Sequence, residues 1–114
     1  MGMCGMYGKD VRIFLKDQAK ERYLELSSSN KDKCILNSFE RVKEILKENP
    51  QYGDSISKRL IPNYFKKIGI KRVYRLELAN YWRLLYTIEG TDKEIFVFVL
   101  CIMNHKEYDK LFGY

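Results

Sequence analysis

The chain has 114 residues, 46% hydrophobic and 14% aromatic, which suits one folded core and excludes both two domains and general disorder. Its 21 Lys and Arg against 15 Asp and Glu give a net charge of +6, which suits an acidic partner (nucleic acid, a membrane surface or an acidic protein), although many basic domains bind nothing anionic.

Residues Met1 to Gly8 hold three glycines and three methionines without periodicity and read as a mobile leader. Val11 to Leu15 suits a first strand with Val11, Ile13 and Leu15 on one face. Asp17 is positioned to cap a helix over Gln18 to Leu26, in which Ala19, Tyr23 and Leu26 recur at helical spacing. Ser27 to Asn30 breaks it, and Ser29 with Asp32 resembles a helix-start box. The next helix carries the stripe Ile35, Phe39, Val42 and Leu46, flanked by Cys34, Ser38 and Ile45, with charges on its other side. Asn49-Pro50 ends it. Two helices with so short a break are expected to form an antiparallel hairpin over one face of a sheet.

Gln51 to Ile68 has no clean period and reads as an ordered loop with one turn of helix. Three strands follow. In Ile70 to Leu78, Tyr74, Leu76 and Leu78 alternate with Val73, Arg75 and Glu77. In Trp82 to Glu89, Trp82, Leu84, Tyr86 and Ile88 alternate with Arg83, Leu85, Thr87 and Glu89. Glu94 to Met103 is apolar on both faces after its first residue and is expected to be covered on both. Gly90 to Lys93 supplies the turn before it. Asn104 to Tyr114 suits a short helix pinned by Leu111 and Phe112. The fold class is α+β: an N-terminal strand and two-helix hairpin on a mainly antiparallel four-stranded sheet, closed by the short C-terminal helix.

Cys4, Cys34 and Cys101 lack metal-ligand spacing and fit a reducing cytosol better than a disulfide scaffold, with Cys34 and Cys101 acting as small hydrophobes. The longest apolar run, Ile95 to Met103, is too short to span a bilayer, and a signal-peptide pattern is lacking, so a cytoplasmic protein is expected.

Charge is the strongest local signal. Lys58, Arg59, Lys66, Lys67, Lys71, Arg72 and Arg75 succeed one another with no Asp or Glu between them, and Tyr64, Phe65 and Tyr74 are interleaved. Cations neutralise phosphates and aromatic faces stack on unpaired bases, although a solvated loop face would look the same. His105, the only histidine, follows the buried strand and is suited to proton transfer or to a structural role. Arg83 could hold a phosphate bidentately, or pair with Glu77 or Glu89. No phosphate-cradling glycine loop, nucleophile elbow or metal cluster is present in the sequence.

Val73-Tyr-Arg-Leu, then Tyr81-Trp-Arg-Leu-Leu-Tyr86, then the apolar strand and His105-Lys-Glu-Tyr108 together resemble the RelE/ParE superfamily of type II toxins. The resemblance covers Gln51 to Tyr114, and the opening strand and helices match in architecture. It implies a metal-independent and cofactor-independent endoribonuclease, a toxin that cleaves mRNA, in some members on the ribosome, by attack of the substrate's own 2′-hydroxyl. Arg83 would then stabilise the scissile phosphate, His105 act as general acid or base, and Tyr108 orient or donate a proton. Lys66, Lys67, Lys71, Arg72 and Arg75 would grip the RNA backbone. The interval from Arg75 to Arg83 is slightly longer than the family pattern, which would aim Arg75 elsewhere. A cognate antitoxin is the implied protein partner. Because one fold can serve several functions, the alternative is a non-catalytic relative that binds RNA or inhibits a topoisomerase as ParE does.

Overall fold

The computed structural model describes residues 10–113, so the expected leader lies outside the described residues. Its sheet has five strands: β1 (Asp10–Leu15), β2 (Asp54–Ser55), β3 (Tyr74–Glu77), β4 (Arg83–Gly90) and β5 (Glu94–Met103). They lie in the order β1-β5-β4-β3-β2. β1 runs parallel to β5, from Asp10 opposite Glu94 to Leu15 opposite Val99, and the other pairs are antiparallel. The α+β class is as expected, but the sheet is mixed and five-stranded rather than four-stranded. The additional strand is the two-residue β2, too short to show any alternation.

A side-chain latch explains why β2 forms. The buried Tyr86 hydroxyl on β4 donates to the Pro50 carbonyl (2.7 Å) and accepts from the Gly53 N–H (2.9 Å). A methyl group at position 53 would lie 2.9 Å from the Arg75 carbonyl and 2.8 Å from that same hydroxyl, so only glycine lets the chain pass so close. Asp54 and Ser55 are thereby delivered opposite Arg75 and Tyr74.

Alternation divides the core into two layers. On one face, α1 (Asp17–Ser27) and α2 (Lys33–Glu48) bring Ala19, Leu26, Ile35, Phe39, Val42 and Leu46 against Tyr74, Leu76, Leu84, Tyr86, Val97 and Val99. The α2 stripe is buried as its period dictates. On the other face, α3 (Asn63–Lys67) and α4 (His105–Phe112) bring Phe65 and Tyr108 against Val73, Leu85, Leu100 and Met103. These helices cover only part of that face, so Phe96 and Phe98 of β5 remain half-buried and the strand is not covered on both sides throughout.

Several local expectations change. Asp17 lies in the first turn of α1, with Lys16 at the cap position. Ser29 precedes a separate tight turn over Asn30–Asp32, and the N-terminus of α2 has no side-chain cap at Asp32. Cys34 is exposed rather than packed as a small hydrophobe. Only Tyr74–Glu77 of the expected Ile70 to Leu78 strand is paired as strand. Leu111 is 37% exposed, and Tyr108 joins Phe112 in pinning α4.

α4 begins where it does because Asn104 and Glu107 close a reciprocal capping box: each side chain accepts from the other's backbone N–H at 2.9 Å. Glu107 also takes a charge-assisted bond from Arg22, which ties α1 to the start of α4. Gln18 bonds both backbone groups of Ile102 and so extends the edge of β5 past the end of β1.

Candidate functional site

Arg75 on β3 and Arg83 on β4 fall on the sheet face that α4 covers, because each is one residue out of step with the neighbouring core positions Leu76 and Leu84. Both engage Tyr108 of α4. Arg75 donates from Nη1 to the Tyr108 hydroxyl at 3.2 Å, and the Arg83 guanidinium stands 5.2 Å from the Tyr108 ring centroid. Tyr108 is itself buried, so its phenol is a fixed strut between two cations. The longer interval between the two arginines does not separate them.

Each guanidinium has a carboxylate at its far side. Asp54, delivered by β2, lies 3.5 Å from Arg75, and Glu77 lies 3.4 Å from Arg83. Both distances are long for a charge-assisted bond, and both acids are largely exposed, so these are weak, exchangeable pairs. The hydrogen bond to Tyr108, more than the pairing with Asp54, pushes the Arg75 pKa up.

Arg83 is held more tightly. Its side chain is only 16% exposed, its Nη1 donates to the Tyr81 carbonyl at 2.6 Å, and its buried Nε has no hydrogen-bond partner. The carbonyl is aimed by strained backbone: Asn80 and Tyr81 both have positive φ, 58° and 64°, and for a bulky residue this costs about 1–3 kcal/mol. The turn is pinned to α2 where the Ala79 N–H donates to the buried Ser38 hydroxyl and Asn80 Nδ2 to Cys34 Sγ.

His105 opens α4, two residues beyond Met103, the register partner of Arg83. Its side chain is 54% exposed, and Nδ1 faces Asp109 at 3.8 Å rather than Arg83. The expected trio of Arg83, His105 and Tyr108 is therefore assembled in part: Arg83 meets Tyr108, and His105 stands at the same end of the sheet on the exposed side of the helix.

The basic residues divide into two groups. Arg75 belongs to the Tyr108 cluster. Lys66 and Lys71, with Lys58 and Arg59, line a separate groove of about 520 Å³ floored by Ile61 and Ile70. Lys67 and Arg72 are exposed beside it and do not line it. The short turn Lys58–Leu60 stands between the two groups, its cations facing the groove and Leu60 lining a smaller hollow with Arg75 and Tyr108.

Sequence patterns did not single out Asp54, the Tyr81 carbonyl, or the exposed Phe14 of β1 beside the half-buried Phe96 and Phe98 of β5. Asn80 was the one available signal for the turn, since asparagine tolerates left-handed backbone. Among the described residues no cluster of three or more His, Cys, Asp and Glu side chains could hold a metal ion, and no helix is long and apolar enough to cross a membrane. Compared with protein-family models, curated proteins and solved structures, the chain matches none.

Proposed function

We propose that the chain is an RNA-cleaving toxin of the RelE/ParE kind, a metal-independent endoribonuclease restrained by a cognate antitoxin. The observation that carries this reading is the convergence of Arg75 and Arg83 on Tyr108. In the reaction, the substrate's 2′-oxygen attacks the neighbouring phosphorus and the bond to the 5′-oxygen breaks. The products are a 2′,3′-cyclic phosphate and a 5′-hydroxyl. Charge develops on the phosphoryl oxygens, where preorganised guanidiniums act most strongly. Arg83 exchanges its long contact with Glu77 for the phosphate, and Tyr108 keeps both guanidiniums aimed. His105, accessible and beside Asp109, removes the 2′-hydroxyl proton or supplies one to the leaving oxygen.

The test is cleavage of a defined RNA in EDTA, with the ends of the products identified. Wild type yields cyclic-phosphate ends; Arg83→Ala lowers the rate at least about 100-fold and His105→Ala about 100-fold or more. Undiminished cleavage in both variants removes the assignment. A non-catalytic relative that binds RNA, or a topoisomerase inhibitor, is the second reading, and the engagement of Arg83 by Glu77 and of His105 by Asp109 favours it. It predicts RNA binding or altered DNA supercoiling without strand scission. The antitoxin would cover the cationic side with an acidic segment.

A further inference from the structure

The half of the second sheet face that α3 and α4 leave bare carries three phenylalanines from two strands. Phe14 of β1 lies 5.9 Å from Phe96 and 5.6 Å from Phe98 of β5, ring centroid to ring centroid. Phe14 is 43% exposed, and Lys16 sits 5.2 Å over the Phe98 ring. Phe14 is thus exposed and Phe96 and Phe98 half-buried, an apolar patch partly open to solvent beside a cation.

The groove of Lys58, Arg59, Lys66 and Lys71 continues into this platform. Ile70 lines both the groove and a hollow of about 310 Å³ that reaches Lys16 and Phe98. No acidic residue lines the groove, and none of its four cations forms an ion pair among the described residues. Three acids border the platform: Glu94, neutralised by Arg12 at 2.9 Å, Asp10 opposite Glu94 in the register, and Glu89 opposite Phe96 at the rim of the hollow. The charge of the groove therefore calls for a polyanion, and the rings of the platform for unpaired bases.

We propose that groove and platform form one track for single-stranded RNA, with phosphates on Lys58, Lys66 and Lys71 and bases stacked on Phe14 and Phe98. The choice of RNA rests on the function proposed above; the single-stranded polyanion rests on charge and rings alone. Stacking platforms beside cationic grooves bind single strands with little sequence preference, because every base has a face to offer. A duplex keeps its bases stacked on one another and gains nothing from the phenylalanines.

The experiment measures binding of a labelled 2′-O-methyl RNA of about twelve nucleotides, long enough to run from groove to platform. The methyl group blocks attack by the 2′-oxygen, so binding is read without cleavage. Wild type binds the single strand at least about tenfold more tightly than the matching duplex. Replacing Lys58, Lys66 and Lys71 by Gln lowers the slope of log affinity against log salt by about 2. Phe14→Leu weakens binding about tenfold, whereas Phe14→Tyr, which keeps the ring, binds as wild type. Equal affinity of Phe14→Leu and wild type overturns the track, as does equal affinity for duplex. Loss of self-association in Phe14→Leu without loss of RNA affinity would assign the face to a second copy of the chain instead. Tight, Phe14-dependent binding by a protein that never cuts unmodified RNA sinks the ribonuclease reading and leaves the track standing.

Discussion

Arg83 on β4 stands over the Tyr108 ring of α4 at 5.2 Å, so the middle strand and the last helix share one cation–aromatic contact at the candidate site. Such a contact is worth about 1–2 kcal/mol when partly desolvated, and this guanidinium is mostly buried. Tyr108→Phe keeps the ring and removes only the oxygen that receives Arg75. We expect thermal stability to change by no more than about 1.5 kcal/mol, while RNA cleavage falls about tenfold or more as Arg75 loses its aim. Tyr108→Ala also empties the second core and is expected to cost about 3–5 kcal/mol in a denaturant titration.

Under the proposed function, Glu77, 3.4 Å from Arg83, would compete with the phosphate for it. Its exposed, long-range pairing contributes little to the fold, on the order of 0–1 kcal/mol. Glu77→Gln should therefore leave the melting temperature nearly unchanged and tighten RNA binding about threefold to tenfold, measured by titration at fixed salt. Weaker binding by this variant would show that Glu77 orients Arg83 instead of occupying it.

Tyr86 links stability to alkaline pH. Burial is the main reason that its phenol pKa is pushed up from the ordinary 10.0 to about 12. The unfolded chain thus releases this proton first. The associated stability is fully present below pH 10.0 and is lost as pH rises through about 12. Tyr86→Phe leaves the Pro50 carbonyl and Gly53 N–H without their partner, an expected loss of about 1–3 kcal/mol near neutral pH, and flattens the alkaline limb of the stability curve.

Burial, with a smaller contribution from Glu107, raises the Cys101 thiol from 9.0 to about 11. Its thiolate fraction near neutral pH is then about 100-fold below that of an ordinary thiol. In a Cys4→Ser background, a thiol reagent should label the exposed Cys34 first and Cys101 slowly. The slow phase should accelerate about tenfold per pH unit and disappear in Cys101→Ser.

Regular periods made much of this fold legible in the chain. The Ile35, Phe39, Val42 and Leu46 stripe, and the alternation of Leu84 and Tyr86 with Arg83 and Leu85, place those residues on the faces they occupy. Arg75 and Arg83 share one side of the sheet, although the longer interval between them had pointed Arg75 elsewhere. What stayed hidden depends on contacts across long sequence separations. β2 exists because Tyr86 reaches back 33 residues to Gly53, and no local pattern encodes that. The approach of Tyr108 to Arg75 spans 33 residues as well. The bare phenylalanines were misread because a run apolar on both faces shows that a strand can be covered, and only the positions of α3 and α4 decide where it is.

The parallel pairing of β1 with β5 joins residues 10–15 to residues 94–99. During synthesis β1 must therefore wait, unpaired, until β5 has been made. Its neighbour in the finished sheet leaves the ribosome only after α1, α2 and α3, and Tyr108 emerges later still. A shortened product of interrupted translation would thus carry the cations of the groove without the helix that gathers Arg75 and Arg83. Such a fragment would keep its positive charge and lose the anchor that both guanidiniums share.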